Sequence, residues 1–295
     1  MIEPRQVQLK CEDGVVVQGT LFSPAQAAKA SVLLLPGVGI SQPLYRPFAR
    51  YLAHRGYQVL TLDYRGIGQS FLADLKPSQA SLSAWAKMDA VAGFHYLQSL
   101  DGQAPLIFAH SFGGQALCVA DALGSARGVV MVASQSGYWR HWQGLGRLKL
   151  WFFWHLYLPF ISRLGSYTPS TLLFKGRLPA GVASEWAKWG RHPHYLKGYQ
   201  HSVTDQLLNT EVPIIAYAFS DDDFAPPDAA KALWQWFPQR CLQSHVLTPD
   251  ELSVPRIGHF SAFNPSFENS LWRRWTDDFD SLLSQGLSTA CSQRT

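Results

Sequence analysis

Ala104-Pro105-Leu106-Ile107-Phe108-Ala109-His110-Ser111-Phe112-Gly113-Gly114-Gln115 is the stretch on which the reading of this chain turns. Its first part is a short apolar run of buried-strand character. Gln115 to Ala120 reads as the start of a helix. A serine held at a sharp strand-to-helix turn needs small neighbours, because the turn leaves no room for side chains beside it. Here Ala109 stands two residues before Ser111 and Gly113 two after it. The pattern is that of a G-x-S-x-G turn with alanine in place of the first glycine. Such strings also arise by chance in loops, and the flanking strand and helix give this one its weight. A turn of this kind holds the Ser111 hydroxyl out at the carboxyl edge of a sheet.

Working outward, residues 5–22 read as two strands around Glu12-Asp13-Gly14. Ser31–Leu35 is a continuous apolar run, as expected of a strand covered on both faces. Tyr57–Leu62, Val129–Ala133, Val212–Phe219 and Leu242–Leu247 read as further strands. Between them, Tyr45, Phe48 and Leu52 share a helical face that ends near Gly56. Leu82–Leu97 reads as a helix with Trp85, Met88, Val91, His95 and Tyr96 towards its inner face. Asp228–Trp236 and Phe267–Leu283 complete the helices. This alternation predicts an α/β fold, an open and mostly parallel sheet with helices on both faces. Gly37-x-Gly39 and Gly66-x-Gly68 each follow a strand, but Gln42 and Phe71 stand where a dinucleotide fingerprint needs its third glycine, so nucleotide binding is not expected.

Of the 295 residues 47% are hydrophobic and 16% charged, enough apolar content for a large packed core. The N-terminus shows no apolar stretch of secretory type, and Cys11, Cys118, Cys241 and Cys291 are widely spaced without a C-x-x-C pair. A cytoplasmic location is the expectation, with neither structural zinc nor a disulfide framework. Residues 139–200 differ in kind from the rest. They hold six of the eleven tryptophans and nine Lys and Arg against one acid, Glu185, in a chain whose net charge is only +4. They interrupt the strand–helix alternation and read as a helical lid inserted into a core of 1–138 and 201–285, with 286–295 a polar tail. Within the lid, Leu150–Ile161 is twelve nearly unbroken apolar residues, too short for the roughly 20 that span a bilayer. It reads either as a helix buried on the core or as one lining an apolar acyl pocket. An aromatic surface rimmed by Arg and Lys suits a greasy substrate with an anionic head, or an anionic membrane surface. No nucleic-acid-binding module is visible.

A serine hydroxyl is a poor nucleophile unless a base takes its proton and a carboxylate orients that base. Asp221, Asp222 and Asp223 close a predicted strand and are the candidate acids. Among ten histidines, His259 sits in Gly258-His259-Phe260, a loop after the last predicted strand whose glycine lets the ring swing towards the serine. His245 lies within an apolar strand and reads as packed. His192 and His194 form an H-x-H pair with no clustered ligands beside them, so a metal site is not expected. His110 adjoins the serine and reads as support for the turn. Two backbone N–H groups should meet the developing oxyanion: one from Phe112, the other from Val38 in the Pro36-Gly37-Val38-Gly39 turn.

With these elements in order, the chain resembles an α/β-hydrolase over roughly 30–138 and 201–285. More narrowly, it is similar to a bacterial group of predicted serine α/β-hydrolases. The segments Lys175-Gly176-Arg177-Leu178-Pro179, Glu185-Trp186-Ala187-Lys188-Trp189, Ser220-Asp221-Asp222-Asp223-Phe224-Ala225-Pro226 and Ile257-Gly258-His259-Phe260 carry that likeness. The resemblance implies the order Ser, acid, His along the chain and favours Asp222, because Asp222-x-Phe224-Ala225-Pro226 is similar to the acid loop of these enzymes. It implies a serine hydrolase that cleaves an ester or thioester of a small-molecule acyl substrate through an acyl-enzyme, with no cofactor. An acyltransferase using the same triad and a non-catalytic binding protein on the same fold are the alternatives. Ala109 and Pro36 depart from the family, which more often has glycine and histidine at those places; neither removes a catalytic group.

Overall fold

The chain opens with a hairpin, β1 (Arg5–Lys10) and β2 (Val16–Phe22), which turns through Gly14 at φ +83°. Next come β3 (Ala30–Leu35), α1 (Arg46–His54) and β4 (Tyr57–Leu62). A long helix follows, built of α2 (Leu82–Ala84), a π-turn at Trp85–Ala90 and α3 (Val91–Asp101). Then come β5 (Leu106–His110), the short α4 (Phe112–Ala116) and β6 (Val129–Val132). The computed structural model describes residues 2–73, 75–76, 79–169, 177–199 and 211–290, with backbone alone for 285–290. Lys175 and Gly176 of the segment quoted above lie outside the described residues.

Between β6 and the next strand the chain forms α5 (Gly144–Phe152), a π-turn (Phe153–Tyr157), α6 (Leu158–Ile161) and α7 (Ala180–Arg191). The sheet then resumes with β7 (Ile214–Phe219), α8 (Pro227–Trp234) and β8 (Leu242–Leu247). A closing helix follows a π-turn at Glu268–Trp272 and runs as α9 (Arg273–Ala290). The eight strands form one sheet in the order β1-β2-β4-β3-β5-β6-β7-β8. β1–β2 and β2–β4 pair antiparallel, and every later pair is parallel. The carboxyl ends of β3, β5, β6 and β7 therefore meet at one edge, and the loops that leave them are neighbours.

Every residue of β3, β5, β6 and β7 is buried, which is why these strands are apolar runs apart from Ser31 and His110. Their side chains alternate between two cores. Val32, Leu34 and Phe108 face α1 and α9, where Phe48, Trp272, Trp275 and Phe279 pack. Leu33, Leu35 and Ile107 face Trp85, Phe94 and Leu97 on the opposite side, and that core continues into Trp154, Leu158 and Trp189 of the inserted helices. The inserted segment is fastened at defined points. Trp154 Nε1 donates to the Gly137 carbonyl at 3.0 Å, and Tyr195 Oη donates to Gln115 Oε1 at 3.0 Å. Glu185, the one acid in 139–200, accepts from the Ser83 N–H and hydroxyl at 2.9 and 2.6 Å, where the first turn of α2 leaves donors unsatisfied.

Three sequence expectations differ from the structure. His95 is exposed, and the buried face of the α2–α3 helix runs instead through Trp85, Asp89, Phe94 and Leu97. A π-turn inserts extra residues, so a pattern read at 3.6 residues per turn falls out of phase beyond it. The 286–295 tail starts late, because helical backbone continues to Ala290 and only 291–295 lie outside the described residues. His245 is half-buried rather than enclosed, because β8 is an edge strand.

The approach of α4 to the sheet is close. A Cβ at Gly113 would overlap the Leu35 carbonyl oxygen, and one at Gly114 would overlap the Ser134 hydroxyl. Gly113→Ala is expected to destabilise the protein by roughly 1–3 kcal/mol through overpacking against a backbone atom that cannot yield. Gly124→Ala meets open space and should stay within about 0.5 kcal/mol of the parent. Urea midpoints of the two variants check this, and equal midpoints would refute it.

Candidate active site

Ser111 sits between β5 and α4 with φ 53° and ψ −112°, a left-handed backbone outside any repeating structure. Its N–H still extends the β5–β6 ladder to the Val132 carbonyl at 3.0 Å. The turn is thus pinned at the strand and must reverse within one residue. The residue that absorbs the reversal projects its side chain from the sheet edge. Ser111 retains 8% exposure in a neighbourhood where Ala109, His110 and Phe112 have none.

Asp222 follows β7 and is buried. Its Oδ1 accepts from the Phe224 and Ala225 N–H groups at 2.8 and 2.9 Å, and its Oδ2 meets His259 Nδ1 at 2.7 Å. A carboxylate in this position accepts a hydrogen bond from Nδ1–H, which keeps the proton on Nδ1 and leaves the Nε2 lone pair of His259 free to act as a base. Asp221 has a separate task. Its carboxylate accepts from the Ile257 and Gly258 N–H groups at 2.9 and 3.1 Å, clamping the loop that carries His259. Gly258 lies at φ +58°, so the freedom expected of that glycine is used. Phe224 and Phe260 pack against the His259 ring at centroid distances of 5.5 and 4.8 Å. Asp223 is exposed.

The loop after β3 lies against the serine. A Cβ at Gly37 would stand 3.2 Å from that of Ser111. Among the described residues, neither the Val38 nor the Phe112 N–H has an acceptor within the protein. These are the two backbone donors expected from the sequence. Ser111 Oγ makes no hydrogen bond to a described residue. Contacts of this kind commonly tighten only in the substrate complex.

The sequence reading missed Tyr45, which ties the three loops together. Its hydroxyl accepts from the Gly37 N–H at 3.0 Å and lies 2.8 Å from His110 Nδ1. His110 Nε2 lies 3.1 Å from the His259 carbonyl, which can only accept, so Nε2 carries the ring proton and Nδ1 accepts from the Tyr45 hydroxyl. His110 lies directly before Ser111, and its ring is 4.8 Å from that of His259. The serine and histidine loops are therefore joined through their neighbours. Tyr45 was legible only as one member of an apolar helical face, because a hydrogen bond to residue 110 leaves no trace in local periodicity.

Other reactive groups stand apart. Cys11 and Cys118 are free, buried thiols, and burial pushes both up, Cys11 to about 12, so neither is a ready thiolate. His245 stacks on Tyr217 at 5.1 Å. His192 Nδ1 accepts from the His194 N–H at 3.1 Å, making the H-x-H pair a turn. Among the described residues, no group of three or more His, Cys, Asp or Glu side chains is placed to hold a metal ion. A cavity of about 370 Å³ lies beside Ser136, His141, His194, Lys197 and Trp236; Ser111, Asp222 and His259 do not line it.

A family model described as the alpha/beta hydrolase family matches residues 32–284. No curated protein matches the chain in sequence at a significant level. Among solved structures, it is similar to a thermostable carboxyl esterase from Bacillus coagulans in complex with glycerol, at TM-score 0.65 and 12% identity, covering 96% of this chain and all of that one. An esterase domain from Rhodothermus marinus gives TM-score 0.60 and 14% identity over 97% and 100% of the two chains. A thermophilic esterase from Thermogutta terrifontis with malate bound gives 0.57 and 17% over 95% and 98%. At these identities the likeness is one of fold.

Burial, and secondarily the neighbouring His259, hold His110 well below the ordinary histidine range. The folded ring is neutral, whereas in the unfolded chain it takes a proton near pH 6.5. Its contribution to stability is full above that pH. It is lost as the pH falls below, at about 1.4 kcal/mol per pH unit, until the folded pKa is reached. His110→Asn should show a shallower fall in urea midpoint between pH 7.5 and 5.5 than the parent, and parallel curves would refute this.

Proposed function

Because the chain belongs to the alpha/beta hydrolase family, we propose that it is a serine hydrolase acting on a carboxylic ester or thioester with an apolar acyl part. The observation that carries this reading is the 2.7 Å pairing of His259 Nδ1 with buried Asp222, on a loop bonded to the residue before Ser111. The esterases to which the fold is similar are consistent with it.

In the proposed reaction, Ser111 Oγ attacks the carbonyl carbon while His259 Nε2 takes its proton. Asp222 holds the ring in the required tautomer and stabilises the imidazolium. The N–H groups of Val38 and Phe112 meet the tetrahedral oxyanion; a donor of this type is typically worth ~10²–10³ in turnover. As the carbonyl reforms, the bond to the leaving oxygen or sulfur breaks and His259 returns the proton to it. Water, deprotonated by His259, then attacks the acyl-serine and releases the acid and the free hydroxyl. The residues named here supply the whole sequence of proton transfers.

In this reading residues 139–200 form the lid over a core of 1–138 and 201–285. Trp154, Leu158 and Trp189 join the same apolar core as Phe112, so this segment is packed onto the core beside Ser111.

A fluorophosphonate probe should label the folded protein at Ser111, and Ser111→Ala should abolish both labelling and ester hydrolysis. Asp222→Asn should lower kcat by roughly 10³–10⁴ with a smaller change in KM. Absence of labelling on folded protein would replace this reading with a non-catalytic binding role. An ester rather than the free acid as product in the presence of added alcohol would make it an acyltransferase.

A further inference from the structure

We propose that the outer face of the helix running from Gly144 to Ile161 docks the protein on an anionic lipid surface. The inference does not rest on the chemistry proposed above. Leu145, Leu148, Phe152, Leu156 and Phe160, with Leu164 in the turn just after the helix, are 45% to 74% exposed, and together they are more than half of the exposed large apolar residues among the described residues. From Leu148 onward they recur at every fourth position. On a regular α-helix a row at that spacing drifts sideways by about 40° per step. The π-turn at Phe153–Tyr157 winds more loosely and slows the drift, so the row stays on one face. The opposite face is spent on the core, with Trp154, Leu158 and Ile161 buried. The helix is thus fixed to the protein by one side and apolar on the other.

The charge around the row selects the occupant. Arg140, Arg147, Lys149 and Arg163 are exposed beside it. No Asp or Glu occurs anywhere from Trp139 to Ser184. Trp151 is partly exposed and stacks on His155 at 4.9 Å, an amphipathic pair of the kind that sits at headgroup depth. An apolar ridge flanked by cations suits a helix that lies in the plane of a bilayer containing anionic lipids. Among the described residues no helix is long and apolar enough to cross a membrane. A second copy of the chain is a poorer occupant, because two-fold pairing of this face would set its cations against themselves. The docked end lies near the candidate site, since Trp142 Nε1 donates to the Asp223 carbonyl at 2.9 Å.

Co-sedimentation with phosphatidylcholine vesicles, with and without about one-third phosphatidylglycerol, tests the proposal. Binding is expected to the mixed vesicles and to weaken at high salt, since each cation near such a surface contributes on the order of fivefold to partitioning. The exposed triple variant F152S/L156S/F160S and the charge reversal K149E/R163E should each lose at least about tenfold in vesicle affinity. Their urea midpoints should stay near the parent's, which separates lost docking from lost folding. No binding by the parent at low salt, or equal binding by parent and folded variants, overturns the proposal. So does a parent that sediments as a dimer which the triple variant converts to monomer, since the occupant is then a second copy. Binding to pure phosphatidylcholine as tight as to the mixed vesicles overturns the anionic part.

Discussion

The close contact of α4 with the sheet is the constraint on which the rest depends. Ser111 reaches the sheet edge only because its backbone reverses within one residue, and a left-handed conformation outside the common regions costs on the order of 1–3 kcal/mol. The surroundings must over-determine such a residue. Here the Ser111 N–H is bonded into the β5–β6 ladder on one side. On the other, Gly113 and Gly114 let the helix press onto Leu35 and Ser134. Phe112 then turns inward, packing edge-on against Tyr64 and Trp85, which stack on each other. Aromatic burial offsets local strain, and the strained residue is the one whose side chain stands at the sheet edge.

A second fixed point supports the loops from beneath. Arg65 is wholly buried between Asp89, at 2.7 Å, and Asp13, and its backbone N–H donates to Asp89 at 2.8 Å. Nearby, Asp63 accepts from the Gln42 N–H and side chain at 2.8 and 3.1 Å and from the Gln69 N–H at 2.9 Å. The Asp63–Gly68 turn therefore binds the hairpin, the start of the α1 region and the α2–α3 helix. Breaking a buried pair by removing one partner leaves an uncompensated charge, which is why such pairs act as registers more than as sources of stability.

Strands and the serine turn were legible because their signals are local. β3 and β5 are apolar but for Ser31 and His110, and Ser111 has a small residue two positions to either side. His259 was legible as a position after the last strand, and Asp222 as one of three acids after β7, favoured among them by the resemblance of its loop. What the sequence concealed is set by distance or by phase. Tyr45 meets His110 across 65 residues, and Arg65 meets Asp13 across 52. Asp89, within the π-turn at Trp85–Ala90, escaped notice as a core position because its ion-pair partner Arg65 lies 24 residues away. Asp221 was legible only as a turn residue, since its partners are backbone groups 36 and 37 residues away.

The Tyr45–His110 bonds also have a mechanical meaning. Gly37, Tyr45, His110 and the His259 backbone form one chain of hydrogen bonds, so the loops that carry Gly37, Ser111 and His259 cannot separate without buried bonds breaking. That half of the site behaves as a rigid jaw. The opposing wall, between β6 and β7, is held differently, by the apolar core it shares with the sheet and by separate hydrogen bonds at Trp154, Tyr195 and Glu185. A protein built this way keeps three loops from distant parts of the chain in one fixed register.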